Sequence, residues 1–560
     1  MTELDVDTAS TLGSNMADRE KACEAPAPEG DDDAGLDLQQ THSNRESMKH
    51  VGRTVSQNGY GVSHEQNHDE KALEAGQPEK DPYEVGWDGG DADPWHPRSF
   101  NKARKWLIVF IVAAGSLTVT CASSIYTSTY VQMEAEFHNS REVSILGLSS
   151  FILGIALGPM FLGPLSEFFG RRPIYLVSWT MYVIWLIPQT VAKNVATMIV
   201  SRFFDGLAGS AFLTVSGGTV GDMFAKDELQ LPMAAFTIAP FIGPSVGPIV
   251  GGFINQFTTW RWTYYVLIIW AGVMWVAIVL LVPETFHTIL LRDKARKIRK
   301  ETGDNRWLAP TEKVQKSVFK AVLISLQRPF QLLMFEPMCL FLDIFCAILL
   351  GILYVFFGAF GIVFGTHHGL EPYQVGLTFL GLGLGMIIGM LTDPVWHRIR
   401  SGLIAKLSQE TGVPDSSEPE FRLPPAILGS VLVSIGIFVF AWTSYPSVHW
   451  IVPIIGSAIF GVGNMLVFSG IFTFLEFANR PCLQVDAYPA YAASALAANT
   501  FVRCSFAAVF PLFGAQMYHR LGDQWASSLL AFLTVAMIPF PYIFFKYGKK
   551  IRSNSRYARS

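Results

Sequence analysis

Four charged residues stand inside stretches otherwise apolar enough to leave water. They are Arg202 and Asp205 in the run 195–221, Asp343 in 336–364 and Arg503 in 487–513. A charge at the centre of a membrane-crossing helix costs roughly 2.5–3.5 kcal/mol by insertion scales, so each is a candidate for proton exchange or substrate contact. Arg202 and Asp205 lie three residues apart, on one helix face. Two readings follow: a self-compensating pair that locks the helix, or an arginine that tunes the proton affinity of an acid. Glu476 ends another apolar run, where the membrane edge solvates it. Tyr126, Asn464, Phe472 and Asn499 are pocket candidates, although aromatic and amide groups in such runs also glue helix to helix.

Short polar stretches between the runs hold a second set. "GPLSEFFGRRP" carries Gly163, Glu167, Gly170, Arg171 and Arg172; "GMLTDPVWHRI" carries Gly389, Asp393 and Arg398. Each has a glycine, an acid four positions later and a base four or five beyond that, the mark of a duplicated half. Asp222 places another carboxylate at the same membrane edge. In "GPSVGPIVGG", Gly243, Gly247 and Gly251 recur every four residues, Pro244 and Pro248 run beside them, and Gly252 follows. Interior prolines cost about 3 kcal/mol each in a soluble helix. In lipid, small residues at this spacing let helices approach closely. Gly381, Gly385 and Gly389 repeat the spacing.

These residues are positioned by twelve runs of the length a bilayer requires. They lie near 106–129, 143–165, 173–191, 195–221, 233–256, 260–282, 336–364, 374–393, 424–443, 449–476, 487–513 and 524–545. The fold class expected is therefore an all-α membrane protein of two pseudo-symmetric six-helix bundles, residues 96–283 and 336–546. A charged linker, 284–335, with no room for a core of its own, joins the bundles, and a basic tail, 547–560, follows. The 560 residues are 50% hydrophobic and 16% charged, outside the soluble range. Residues 1–95 hold 22 acidic and 7 basic side chains and few aliphatics, which predicts a disordered acidic tail. No cleaved signal is read there. With that tail inside, the opposite loops hold four basic residues, Arg141, Lys193, Arg261 and Arg520, so both termini are expected to be cytoplasmic. Six scattered cysteines form no zinc spacing or disulfide framework, and no GxxxxGK[ST] sequence offers a phosphate cradle. The expectation is no enzyme, no cofactor, no metal and no nucleic acid.

The loop "GPLSEFFGRRP", the fourth-run "RFFDGLAGSA" and the fifth-run "GPSVGPIVGG" resemble, in order, signatures of the major facilitator superfamily. "VGWDGGDADPWHP" and "AYAASALAANTFVR" look like its fungal drug:proton antiporter branch with twelve spans. The first loop carries Glu167 where the family usually has aspartate. The resemblance implies proton-coupled efflux of small amphipathic compounds by alternating access, with Arg202 in proton transfer. It also implies a gating latch between Arg171 and Asp222, and a moving seam where spans five and eight meet along the glycine rails. Partners would be a small-molecule substrate, protons and the bilayer, for a monomer in the plasma membrane or, alternatively, the vacuolar membrane. An importer or uniporter of a nutrient, or a transporter-like sensor, would share this architecture.

Overall fold

The computed structural model describes residues 83–225, 228–312, 318–412, 418–476 and 492–553. The acidic stretch before residue 83, the Glu476 side chain and residues 554–560 lie outside them. Among the described residues, eleven helices are long and apolar enough to cross a membrane, and Arg171–Thr190 completes a set of twelve spans: Lys102–Phe137, Arg141–Phe169, Arg171–Thr190, Val195–Met223, Gln230–Phe257, Trp260–Leu281, Pro337–His367, Pro372–Leu391, Pro424–Thr443, Ile451–Leu475, Ser494–Leu521 and Asp523–Ile551. Lipid leaves backbone amides no partner but the helix itself, so each apolar run closes its own hydrogen bonds. Span 3 is the least hydrophobic because two arginines open it and tyrosines, tryptophans, prolines and a glutamine dilute its aliphatic residues. Span 11 runs well past the expected residue 513 because its polar end, His519 and Arg520, finishes the helix. Span 12 continues past residue 546 as a helix to Ser553.

The duplication read from the loops recurs in the packing. Span 1 packs on 5, 2 on 4 and 3 on 6; correspondingly 7 packs on 11, 8 on 10 and 9 on 12. Across the halves, span 5 meets 8 and span 2 meets 11, again related by the same exchange. The face at which spans 2 and 3, 4 and 5, and 8 and 9 are joined also carries the connector between the halves. It is called the connector face here, and the other the far face.

That connector is more ordered than its composition predicts. A helix, His287–Thr302, leads to a short parallel bridge in which Val85 N–H donates to Leu308 O and Leu308 N–H to Tyr83 O. Val85, Ala295 and Ala309 make a small core beneath it. Lys294 is buried and donates to Asp88 Oδ2 at 2.7 Å, Asp93 Oδ2 at 2.6 Å and Gly86 O at 3.0 Å. Residues 83–95 therefore belong to a folded collar, which corrects the boundary of the tail. The reason is local: one buried ammonium gathers two carboxylates and a carbonyl, so a polar segment orders without a large apolar core.

Candidate functional site

Arg202 is fully buried in span 4, yet it does not pair with Asp205. Its Nε donates to Gly147 O on span 2 at 2.9 Å, and its Nη2 to Ala122 O and Ser123 O on span 1 at 3.1 and 3.4 Å. The guanidinium lies between two rings, 4.1 Å from the centroid of Tyr126 and 4.6 Å from that of Phe151. Its Nη1 has no hydrogen-bond partner. Asp205, also fully buried, accepts from Gln189 Nε2 of span 3 at 2.9 Å through Oδ2, while its Oδ1 is unpartnered. The locked-pair reading is thereby corrected. Carbonyls, rings and an amide hold the two charges separately, each with one atom left over, so the two groups can influence one another through space. Tyr126 is a wall of the arginine's seat, and its hydroxyl donates to Ser144 O at 2.9 Å.

The second half has its own buried acid. Asp343 accepts from Asn499 Nδ2 at 2.9 Å and from Cys339 Sγ at 3.3 Å. Arg503, one turn beyond Asn499, lies over Phe472 and Phe468, 5.1 and 5.5 Å from their centroids. Phe241 of span 5 reaches the same two rings from the other half. Asn464 is fully buried with neither amide atom hydrogen-bonded, and Asn499 Oδ1 and Arg503 Nε are likewise unpartnered. Such groups are costly to leave unmade, so they mark where a polar ligand group or water has something to gain. At 1.5 Å per residue, Arg202 lies about 10 Å from the far-face end of span 4, and Asp343 about 9 Å from the connector-face start of span 7. The two charged stations sit at opposite depths.

At the connector face, Gly170 turns the chain between spans 2 and 3 at φ 98°. Arg171 then donates from Nε to Asp222 Oδ2 at 3.3 Å and from Nη1 to Ser166 Oγ at 2.6 Å, with its guanidinium over the Phe286 ring. Glu284, which sequence reasoning passed over, organises this corner. Its carboxylate accepts from the backbone N–H groups of Arg171, Arg172, Thr285 and Phe286, at 2.9 to 3.1 Å. A side chain at position 170 would strike it. The signal was an acid directly after an apolar run, in "VPETFH". His287 joins the corner by a ring-nitrogen contact of 2.9 Å to Asp222 O. Arg172 turns away to Val279 O at 3.2 Å. A side chain at Gly163 would have ordinary room, its first carbon 3.7 Å from Thr214 Cγ2. The duplicated loop does not make a second latch. Asp393 accepts instead from Gln230 Nε2 of span 5 at 3.1 Å, and Arg398 is exposed on the helix Asp393–Thr411. Five helical residues place Arg398 about 140° around from Asp393.

The glycine rails are close contacts inside each half rather than between halves. A side chain at Gly243, Gly247 or Gly251 would meet Thr120, Ser124 or Ser128 of span 1, and one at Gly381, Gly385 or Gly389 would meet Ile454, Ala458 or Met465 of span 10. Spans 5 and 8 do meet, by another face of each. Ser245 lies against Gly383, the Pro248 carbonyl against Gly376, and Gly252 against Pro372 and Tyr373. At about 100° per residue, the set 245, 248, 252 sits roughly 130° around span 5 from the rail. Pro244 and Pro248 are buried within this doubly packed helix.

A family model described as Major Facilitator Superfamily matches residues 112–511. The chain belongs to the major facilitator superfamily. Among fungal members, the Aspergillus terreus protein named efflux pump atB is 53% identical over 469 residues, 84% of this chain and 89% of that one. The Saccharomyces cerevisiae protein named probable drug/proton antiporter YHK8 is 40% identical over 482 residues, 86% and 91% of the two chains. Among solved superfamily structures, the inward-open xylose transporter XylE from E. coli aligns with a TM-score of 0.57 at 13% identity, covering 79% of this chain and 96% of that one. That likeness speaks to the fold.

Proposed function

We propose that the chain is a secondary transporter that exports small amphipathic compounds in exchange for protons, by alternating access. The observation that carries this reading is the arginine seat: a fully buried Arg202 held by carbonyls and rings, one turn from a buried Asp205 with a vacant oxygen. A guanidinium remains charged and cannot give up its proton, so it acts by moving its field, while the carboxylate takes and releases the proton. The relatives named efflux pump and drug/proton antiporter support outward, proton-driven transport. One charge moved down 100 mV supplies about 2.3 kcal/mol, a useful drive for export. The phenylalanines around Arg503 suit apolar rings, and Asn464, Asn499 and Asp343 suit polar groups on the same compound. Basic residues gathered at the connector face support cytoplasmic termini. The chain works as a monomer in the plasma membrane, with the Arg171–Asp222 pair shaping the cytoplasmic end of the first half. In proteoliposomes, a pH gradient drives accumulation of amphipathic dyes by wild-type protein. Arg202→Ala abolishes that accumulation while leaving inserted, monodisperse protein. Full gradient-driven transport by Arg202→Ala would remove Arg202 from the mechanism.

A further inference from the structure

We propose that Tyr354 is a positioning residue for proton coupling: its hydrogen bond to Ser123 ties closure of the two halves to the seat of the Arg202 guanidinium. The inference rests on the reading of Arg202 given above. Tyr354 belongs to span 7 and Ser123 to span 1, so the 2.8 Å contact between their hydroxyls crosses from one half to the other. Both residues are buried. Ser123 Oγ has a single hydrogen, and it is directed to Thr120 O at 2.7 Å. Toward Tyr354 the serine is therefore the acceptor, and the phenol donates.

The gripped turn is the one that holds the arginine. Ala122 O and Ser123 O both accept from Arg202 Nη2, and Tyr126, one turn on, covers the guanidinium. The helix of span 1 ends at Ile125 and tightens into a 3-10 turn, Tyr126–Thr129. Such a turn sends its amides to nearer carbonyls and leaves those of residues 122 and 123 able to accept from a side chain. The titratable groups around Arg202 are Asp205 on its own span, Tyr126 and Tyr130 on span 1, Tyr182 on span 3, Tyr264 on span 6 and Tyr354 on span 7. Among the described residues, other side-chain hydrogen bonds also cross between the halves: Gln230 to Asp393 at 3.1 Å, Gln256 to Glu371 at 3.4 Å and Ser149 Oγ to Ala508 O at 2.6 Å. The two glutamine contacts lie at the membrane edges, and Ser149 lies on span 2 between Gly147 and Phe151; of these ties, the Tyr354 contact is the one that grips the span 1 turn. When spans 1 and 7 part, Tyr354 loses its acceptor and the turn at 122–126 loses its outside hold. The arginine's position over Asp205 then changes with the position of the halves, which is what coupling requires.

The test separates coupling from packing. Wild-type protein, Tyr354→Phe, Ser123→Ala and the double variant are reconstituted with an amphipathic dye that wild type accumulates. Each is assayed for accumulation driven by a pH gradient and for counterflow exchange without one. Tyr354→Phe retains the ring, and its counterflow stays within about twofold of wild type while driven accumulation falls about tenfold, the factor one ordinary hydrogen bond supplies. Ser123→Ala behaves alike, and the double variant is no worse than either single one, because both remove the same bond. Driven accumulation at the wild-type level in Tyr354→Phe overturns the proposal. So does an equal loss of accumulation and counterflow, which marks a packing role. A wild-type protein that exchanges dye but ignores the gradient overturns the proposed function instead.

Discussion

At the scale of single residues, the corner around Glu284 shows how one carboxylate fixes a helix start. Span 3 begins at Arg171 with unsatisfied amides and the positive end of its dipole, and Glu284 supplies a negative charge and two oxygens there. Glu284→Gln keeps the shape but loses the charge and half of the acceptor capacity. The expected cost is about 2 kcal/mol, read as a lower melting temperature in detergent, with Arg171 released from Asp222 in a fraction of molecules. An unchanged melting temperature would mean that water replaces the carboxylate freely. The sequence displayed the buried charges because Arg, Asp and Asn are conspicuous among apolar neighbours. It did not display their partners. Arg202 is held largely by main-chain oxygens of Gly147 and Ala122, which leave no trace in residue type, and Gln189 reads from sequence as one more polar group in a span.

At the scale of elements, the twelve spans were legible because a bilayer accepts little besides long apolar helices. The glycine rails were legible as close approaches, but a four-residue spacing says that something comes near without saying what. The structure separates two cases that looked alike. Gly247→Leu drives a side chain into Ser124 and the backbone of Ile125 within one half, so insertion and folding fail and yield in the membrane falls sharply. Gly252→Leu meets Pro372 and Tyr373 across the halves. That protein folds, with counterflow strongly reduced because spans 5 and 8 no longer close at the far face. Normal transport by Gly252→Leu would show that this contact opens at no cost. The collar was not legible, since its segment before span 1 is polar and its order depends on a few groups. His96 is one of them. Burial, then the neighbouring His287, pushes its pKa from 6.5 down to about 4. In the unfolded segment it protonates near 6.5, so stability of the collar is full above that pH and is lost as pH falls toward 4. Hydrogen exchange at residues 83–100, corrected for intrinsic rates, is faster at pH 5 than at pH 7.5, and His96→Gln removes the difference. Equal protection at both pH values in the wild type would contradict the buried neutral imidazole.

At the scale of the whole molecule, the halves repeat one another's packing while their buried charges do not repeat in depth. A transporter of this design works by shifting one rigid half against the other around its interior. Ser245 and Gly383 face one another on the boundary, with a side-chain carbon at Gly383 3.2 Å from Ser245 Cβ. Cysteines placed at both positions are close enough for a disulfide. Oxidation is expected to stop driven transport, and reductant to restore it. Retained transport with the bond formed would mean that this level of the boundary stays shut throughout the cycle, and that motion occurs elsewhere along spans 5 and 8.

The collar carries a consequence for how the polypeptide could be cut. Its hydrogen bonds run from Tyr83 to Glu312 and end on residues of the first half, Asp222 among them. Everything that finishes the first half's inner corner is thus encoded before residue 313. A gene divided between the codons for Glu312 and Val318 would yield two polypeptides, the first already carrying its own clasp. Reassembly of the pair would then rest on the contacts between the halves, chiefly where spans 5 and 8, and 2 and 11, meet in the bilayer.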